Sequence, residues 1–100
     1  MISKADDFMI SEFYNAILKL ETEEECKKFF KDILTTAELY SFAQRLQVAK
    51  LLDEDYKYSE IVEKTGASSS TVSRVKKCLL EGAGGYRLVL NNNKEDSERK

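Results

Sequence analysis

Apolar residues recur at helical spacing along most of this chain. Phe8, Phe13, Ile17 and Leu20, with Tyr14 and Leu18 beside them, fall at intervals of three to five and predict a helix over residues 4–20. Its apolar face is wider than one neighbour requires. Thr22 and Glu25 stand at the spacing of a capping box, in which a hydroxyl and a carboxylate satisfy the first free amides of a helix. Cys26, Phe29, Phe30, Ile33 and Leu34 then follow at i, i+3, i+4, i+7 and i+8, predicting a second helix from 23 to about 34. Thr35 and Glu38 repeat the box. After them Leu39, Phe42, Ala43, Leu46 and Ala49, with Val48, Leu51 and Leu52, mark a longer third helix. It should stop near Asp53, Glu54 and Asp55, because acids at a helix C-terminus oppose the macrodipole.

Beyond that connector the spacing shortens. Tyr58, Ile61, Val62 and Thr65 make a two-turn helix, Gly66 supplies the positive φ of a sharp ending, and Ala67 lies in the turn. Ser68 then caps another helix, in which Val72, Val75 and Leu79 form the apolar stripe. Helix, glycine-containing turn and helix within about twenty residues is the helix-turn-helix pattern. Val62 stands where many such units carry a smaller residue, so the angle between the two helices is open to change. The three glycines of EGAGGY at 81–86 should end the second helix. RLVL at 87–90 reads as a short helix or strand, and NNNKEDSERK at 91–100, with no apolar residue, as a disordered tail.

Composition narrows the function. A chain of 100 residues, 42% hydrophobic and 34% charged, without Pro or Trp, is one soluble helical domain at most and would gain from a second subunit. Acids near the N-terminus and the lack of any apolar run near eighteen residues argue against a signal peptide or a membrane span, so a cytoplasmic location is expected. Two cysteines without a secretory signal are expected to stay reduced. With no His, a Cys-His nucleophile is excluded and a zinc site would depend on carboxylates. There is no convincing pair of catalytic acids, and GAGG follows a helix rather than a strand. No enzyme, metal site or required cofactor is expected.

The net charge of −2 conceals a division. Residues 1–63 hold 8 basic and 14 acidic groups, a balance of −6, whereas residues 64–100 hold 8 and 4, a balance of +4. The run KTGASSSTVSRVKK, residues 64–77, contains no acid at all. Small hydroxyl side chains in a first helical turn allow close approach to base edges and phosphates, and cations farther along reach the sugar-phosphate backbone. Ser68, Ser69, Ser70, Thr71, Ser73, Arg74, Lys76 and Lys77 are therefore the candidate DNA-binding residues, with Arg74 able to pair with a base bidentately. The plainer alternative is a serine cap followed by a solvated basic face, serving a protein-interaction module without DNA.

The arrangement LTTAELYSFAQRLQVAKLL, a short connector, then YSEIVEKTGASSSTVSRVKKCL resembles the tryptophan-repressor superfamily, in particular its YerC/YecD-type branch. The likeness covers residues 34–79 closely and the first two helices by pattern. It implies an all-α fold of five to six helices with a C-terminal helix-turn-helix and an intertwined dimer. Residues 1–90 would be one domain, with dimerisation helices at 1–56 and the helix-turn-helix at 57–80. Ile61–Thr65 would support Ser68–Cys78, the reading helix. The implied function is a homodimeric regulator of transcription, most simply a repressor, bound to double-stranded DNA. The resemblance also implies an effector pocket of Thr35, Arg45, Arg74 and Cys78, though Cys78 replaces a hydroxyl and Val75 a glycine. Those two changes argue against L-tryptophan and leave another small-molecule corepressor open. The clustered glycines imply a sixth helix that is shortened or absent.

Overall fold

A computed structural model of the chain describes the backbone of residues 3–98 and the side chains of residues 3–91. Among the described residues there are six helices and no strand: α1 Lys4–Leu18, α2 Glu23–Ile33, α3 Thr36–Asp53, α4 Tyr58–Thr65, α5 Ser69–Glu81 and α6 Gly85–Glu98. They fall into two compact units, Met1–Leu39 and Tyr40–Lys100.

The starts of α1, α2 and α3 are set by local hydrogen bonding. Ser3 and Asp6 form a reciprocal capping box on α1, at 3.1 and 3.2 Å, a signal also present in the sequence. Thr22 Oγ1 accepts the Glu25 amide at 3.1 Å on α2. On α3, Thr35 Oγ1 accepts the Glu38 amide at 3.1 Å and the Glu38 carboxylate accepts the Thr35 amide at 2.9 Å. Those bonds hold the Glu38 carboxyl below its usual range, the backbone bond contributing most. The end of α3 is more specific than acid repulsion. Tyr56 N–H donates to Leu51 O and Asp55 N–H to Leu52 O, both at 3.1 Å, while Asp55 takes φ 64°. That is a Schellman ending with an aspartate in the left-handed position usually held by glycine.

Within the first unit, Phe13 stacks on Phe29 at 6.2 Å and Phe29 meets Phe30 edge-on at 5.3 Å. None of its described residues is buried. Phe8 and Leu18 are 66% and 79% exposed. The second unit holds the core: Val48, Ala49 and Leu51 of α3, Ile61 of α4, Ala67 of the turn, Val72 and Val75 of α5, and Leu90 of α6. Val62 is half-buried against it, so the larger side chain is accommodated at the α4–α5 contact.

The sixth helix is present, where the sequence suggested at most a short element at 87–90. Gly82 closes α5, its position so tight that a Cβ would come within 2.4 Å of Cys78 O. Gly84 then turns at φ 89° and releases α6. Tyr86 and Leu90, one turn apart, pack on the core. An ion pair at 2.7 Å joins Arg87 to Asp53 at the end of α3. From residue 92 onward the expected tail falls outside the described side chains, although the backbone to Glu98 is helical.

Candidate functional site

The site is built around the turn between α4 and α5. Gly66 ends α4 at φ 73°, donating its N–H to Val62 O at 2.9 Å. Thr65 Oγ1 donates to Ile61 O at 2.7 Å and accepts the Ala67 amide at 3.1 Å. From α3, Gln44 Nε2 donates to Thr65 O at 3.0 Å. This satisfies one of the terminal carbonyls that a helix leaves without an intrahelical partner. Ala67 is buried beneath the turn, and Ile61, Val72 and Val75 are buried between α4 and α5. The orientation of α5 is thus fixed by apolar packing below and by a chain of hydrogen bonds at its start.

The serine-rich start of α5 serves that construction before anything else. Ser68 Oγ accepts the Thr71 amide at 3.1 Å as N-cap, and lies 3.0 Å from both Thr71 Oγ1 and Ser70 Oγ. At about 100° per residue, the side opposite the buried Val72–Val75 stripe carries Ser70, Ser73, Arg74 and Lys77, all exposed. Ser69 is also exposed, in the first turn. Lys76 lies on a different flank, with Nζ 5.3 Å from the centre of the Tyr58 ring. There it borders a hollow with Asp53, Asp55, Leu79 and Arg87, away from the outward face. The eight residues singled out from sequence are therefore divided: Ser68 caps, Thr71 is half-buried, Lys76 turns aside, and the rest are outward.

Of the four residues implied for an effector pocket, two converge. Arg45 from α3 and Arg74 from α5 line one hollow of about 220 Å³ together with Ser41, Gln44, Ser70, Thr71 and Val75. Arg45 is half-buried and lies 5.6 Å from the centre of the Phe42 ring. Val75, 1% exposed, also lines this hollow. Cys78 lines a separate hollow with Gly82–Tyr86. Burial raises the Tyr86 hydroxyl pKa there, with Cys78 adding to the rise and Arg45 opposing it. Thr35 uses its hydroxyl as the cap of α3. Both cysteines are free thiols, and no group of three or more potential metal ligands occurs among the described residues. No helix among them is long and apolar enough to cross a membrane.

Gln44 and Ser41 were not among the candidates drawn from sequence. A signal was available: Ser41, Gln44 and Arg45 stand at i, i+3 and i+4, a polar patch on a helix otherwise rich in apolar residues. A surface that gathers hydroxyls, an amide and guanidiniums without a carboxylate can hold anions through charge-assisted hydrogen bonds.

Relatives agree with this architecture. The uncharacterised protein YerC of Bacillus subtilis (strain 168) is 45% identical over 86 residues, spanning 86% of this chain and 83% of that one. A crystal structure of a candidate Trp repressor from Staphylococcus aureus superposes with a TM-score of 0.84 at 43% identity, covering 86% of each chain. A TrpR-like protein from Eubacterium eligens gives 0.83 at 39% identity, over 92% of this chain and 91% of its own. The family model for the Trp repressor protein matches residues 9–94. With the family model matching most of its length and solved relatives superposing on its helical fold, the chain belongs to the Trp repressor family.

Proposed function

We propose that this protein is a regulator of transcription that binds double-stranded DNA as a homodimer through α4, the Gly66 turn and α5, and that it acts as a repressor. The observation that carries the reading is the outward face of α5. Ser70, Ser73, Arg74 and Lys77 project opposite a fully buried stripe, and the helix holds no acid before Glu81. A helix presented in this way enters a major groove, its first turn near the bases and its cations toward phosphates. Arg74 reads a base edge or a phosphate, Lys77 holds the backbone, and Ser69, Ser70 and Ser73 give close polar contacts. Ser68 and Thr71 maintain the start of the helix, and Lys76, held on the Tyr58 flank, lies outside the contact face.

The dimer is supported by the first unit. Two helices that expose Phe8, Met9, Tyr14 and Leu18 of α1 and Ile33 of α2, and bury no described side chain, cannot offset the entropy of their own ordering. A second copy, folded against the same faces, supplies the missing burial. The reading is tested by fluorescence anisotropy on duplex fragments selected from the source genome, across a salt series. Binding with a steep negative salt slope, to near-palindromic sites with half-sites about 34 Å apart, is expected. A dimer that retains no duplex at about 50 mM salt, where phosphate contacts act most strongly, would reject it and favour a protein-interaction module.

A further inference from the structure

We propose that Tyr40, near the start of α3, is a further contact of the DNA interface and donates its hydroxyl to a backbone phosphate beside the turn that opens α5. This inference rests on the DNA-binding reading above and deepens it. Tyr40 is 64% exposed, and its hydroxyl makes no hydrogen bond among the described residues. Its place is set by the helix-turn-helix. A Cβ built on Gly66 would lie 3.9 Å from Tyr40 Oη and 3.9 Å from Gln44 Nε2. Gln44, one turn farther along α3, donates to Thr65 O at 3.0 Å and so fastens this face of α3 to the turn. Gly66 is itself exposed, and Ser68, two residues on, caps α5. The phenol therefore stands at the rim of the interface, beside the end of α5 that approaches the bases.

Leu39, Phe42 and Leu46, 42–49% exposed, form the apolar stripe of α3 that a second copy would cover. Tyr40 and Gln44 lie about 100° or more round the helix from that stripe, on the face turned to the Gly66 turn. A core role does not fit either, because a core tyrosine is buried and its hydroxyl finds a partner. The chemistry suits a phosphodiester. A neutral O–H donates to an anionic oxygen, and a ring held by two side-chain torsions loses little freedom on binding. A helix in the major groove is flanked by both sugar-phosphate strands, so a donor on the rim reaches one of them while α5 reads the bases. Being uncharged, the phenol displaces no counterion, which sets it apart from Lys77.

The test compares the intact protein with Tyr40→Phe on the duplex that the wild type binds in the anisotropy series. Tyr40→Phe should weaken binding roughly tenfold for each protomer's contact, with the salt slope unchanged. Its Tm and oligomeric state should match the wild type, since the hydroxyl removed has no partner within the fold. Duplexes carrying methylphosphonates at symmetric pairs of positions locate the phosphate: at one pair the two proteins should bind alike. A purely structural role would instead weaken binding to every duplex equally. Wild-type binding that Tyr40→Phe leaves unaltered, a Tm that falls together with affinity, or a difference that no methylphosphonate pair removes would overturn the proposal. A wild type that retains no duplex rejects the DNA-binding reading, and this contact with it, so the two failures are told apart.

Discussion

The Gly66 turn decides where α5 points, and replacing its glycine isolates the backbone term. Gly66 has φ 73°, a region in which a side chain costs an L-residue roughly 1–2 kcal/mol. Space is not the difficulty. A Cβ at Gly66 would meet Gln44 Nε2 and Tyr40 Oη at 3.9 Å each, ordinary contact distances. Gly66→Ala should therefore lose stability through conformation alone. An alanine also narrows the unfolded ensemble, which recovers about 0.4–1 kcal/mol, so the net loss should be near 1 kcal/mol. For a domain of this size that is a fall in Tm of about 4–8 °C. Urea unfolding should show an earlier midpoint and an unchanged slope, and Gly66→Asn should lose less than Ala because asparagine tolerates the left-handed region. Asn and Ala variants of equal stability would refute the backbone argument. A loss above about 3 kcal/mol would also refute it, since that magnitude belongs to packing defects.

Other outcomes follow from the same geometry. Lys77→Gln should reduce the salt slope of DNA binding by about one, whereas Lys76→Gln, on the Tyr58 flank, should leave it almost unchanged; equal effects in the anisotropy series would contradict the division of α5. Ile61→Ala, at a fully buried position between α4 and α5, should cost about 2–5 kcal/mol by chemical denaturation. Asp55→Asn should stabilise by about 0.3–1 kcal/mol, by removing an acid from the C-terminus of α3 while keeping a side chain that accepts φ 64°. Glu38, whose folded pKa lies below its unfolded value, contributes stability that is present above the unfolded pKa and lost as pH falls through the folded one. Protection of the Thr35 amide, measured relative to its intrinsic exchange rate, should fall across that acidic window, and Glu38→Gln should abolish that fall.

Much of this architecture could be read along the chain because it is local. Thr22–Glu25 and Thr35–Glu38 form the expected caps, Gly66 ends α4, and Val72 and Val75 face the core, since capping and helical periodicity act within a few residues. Where the reading fell short, the deciding contacts were distant in sequence. Tyr86 and Leu90 became part of a helix because α5 and the core offered them a surface, and Arg87 found Asp53 across 34 positions.

The candidate site divides along the same line. From sequence alone came an acid-free helix rich in hydroxyls and cations, on which the proposed class of partner rests. Tertiary structure decided which cations face outward: Lys76 and Lys77 are adjacent in the chain, but a helix turns consecutive residues about 100° apart and Tyr58 captures one of them. It also brought Arg45 to Arg74 and joined Gln44 to Thr65. Those meetings depend on how α3 crosses the helix-turn-helix, and such a crossing is set by the packing of Val48, Ile61, Val72 and Val75 rather than by the spacing of any one segment.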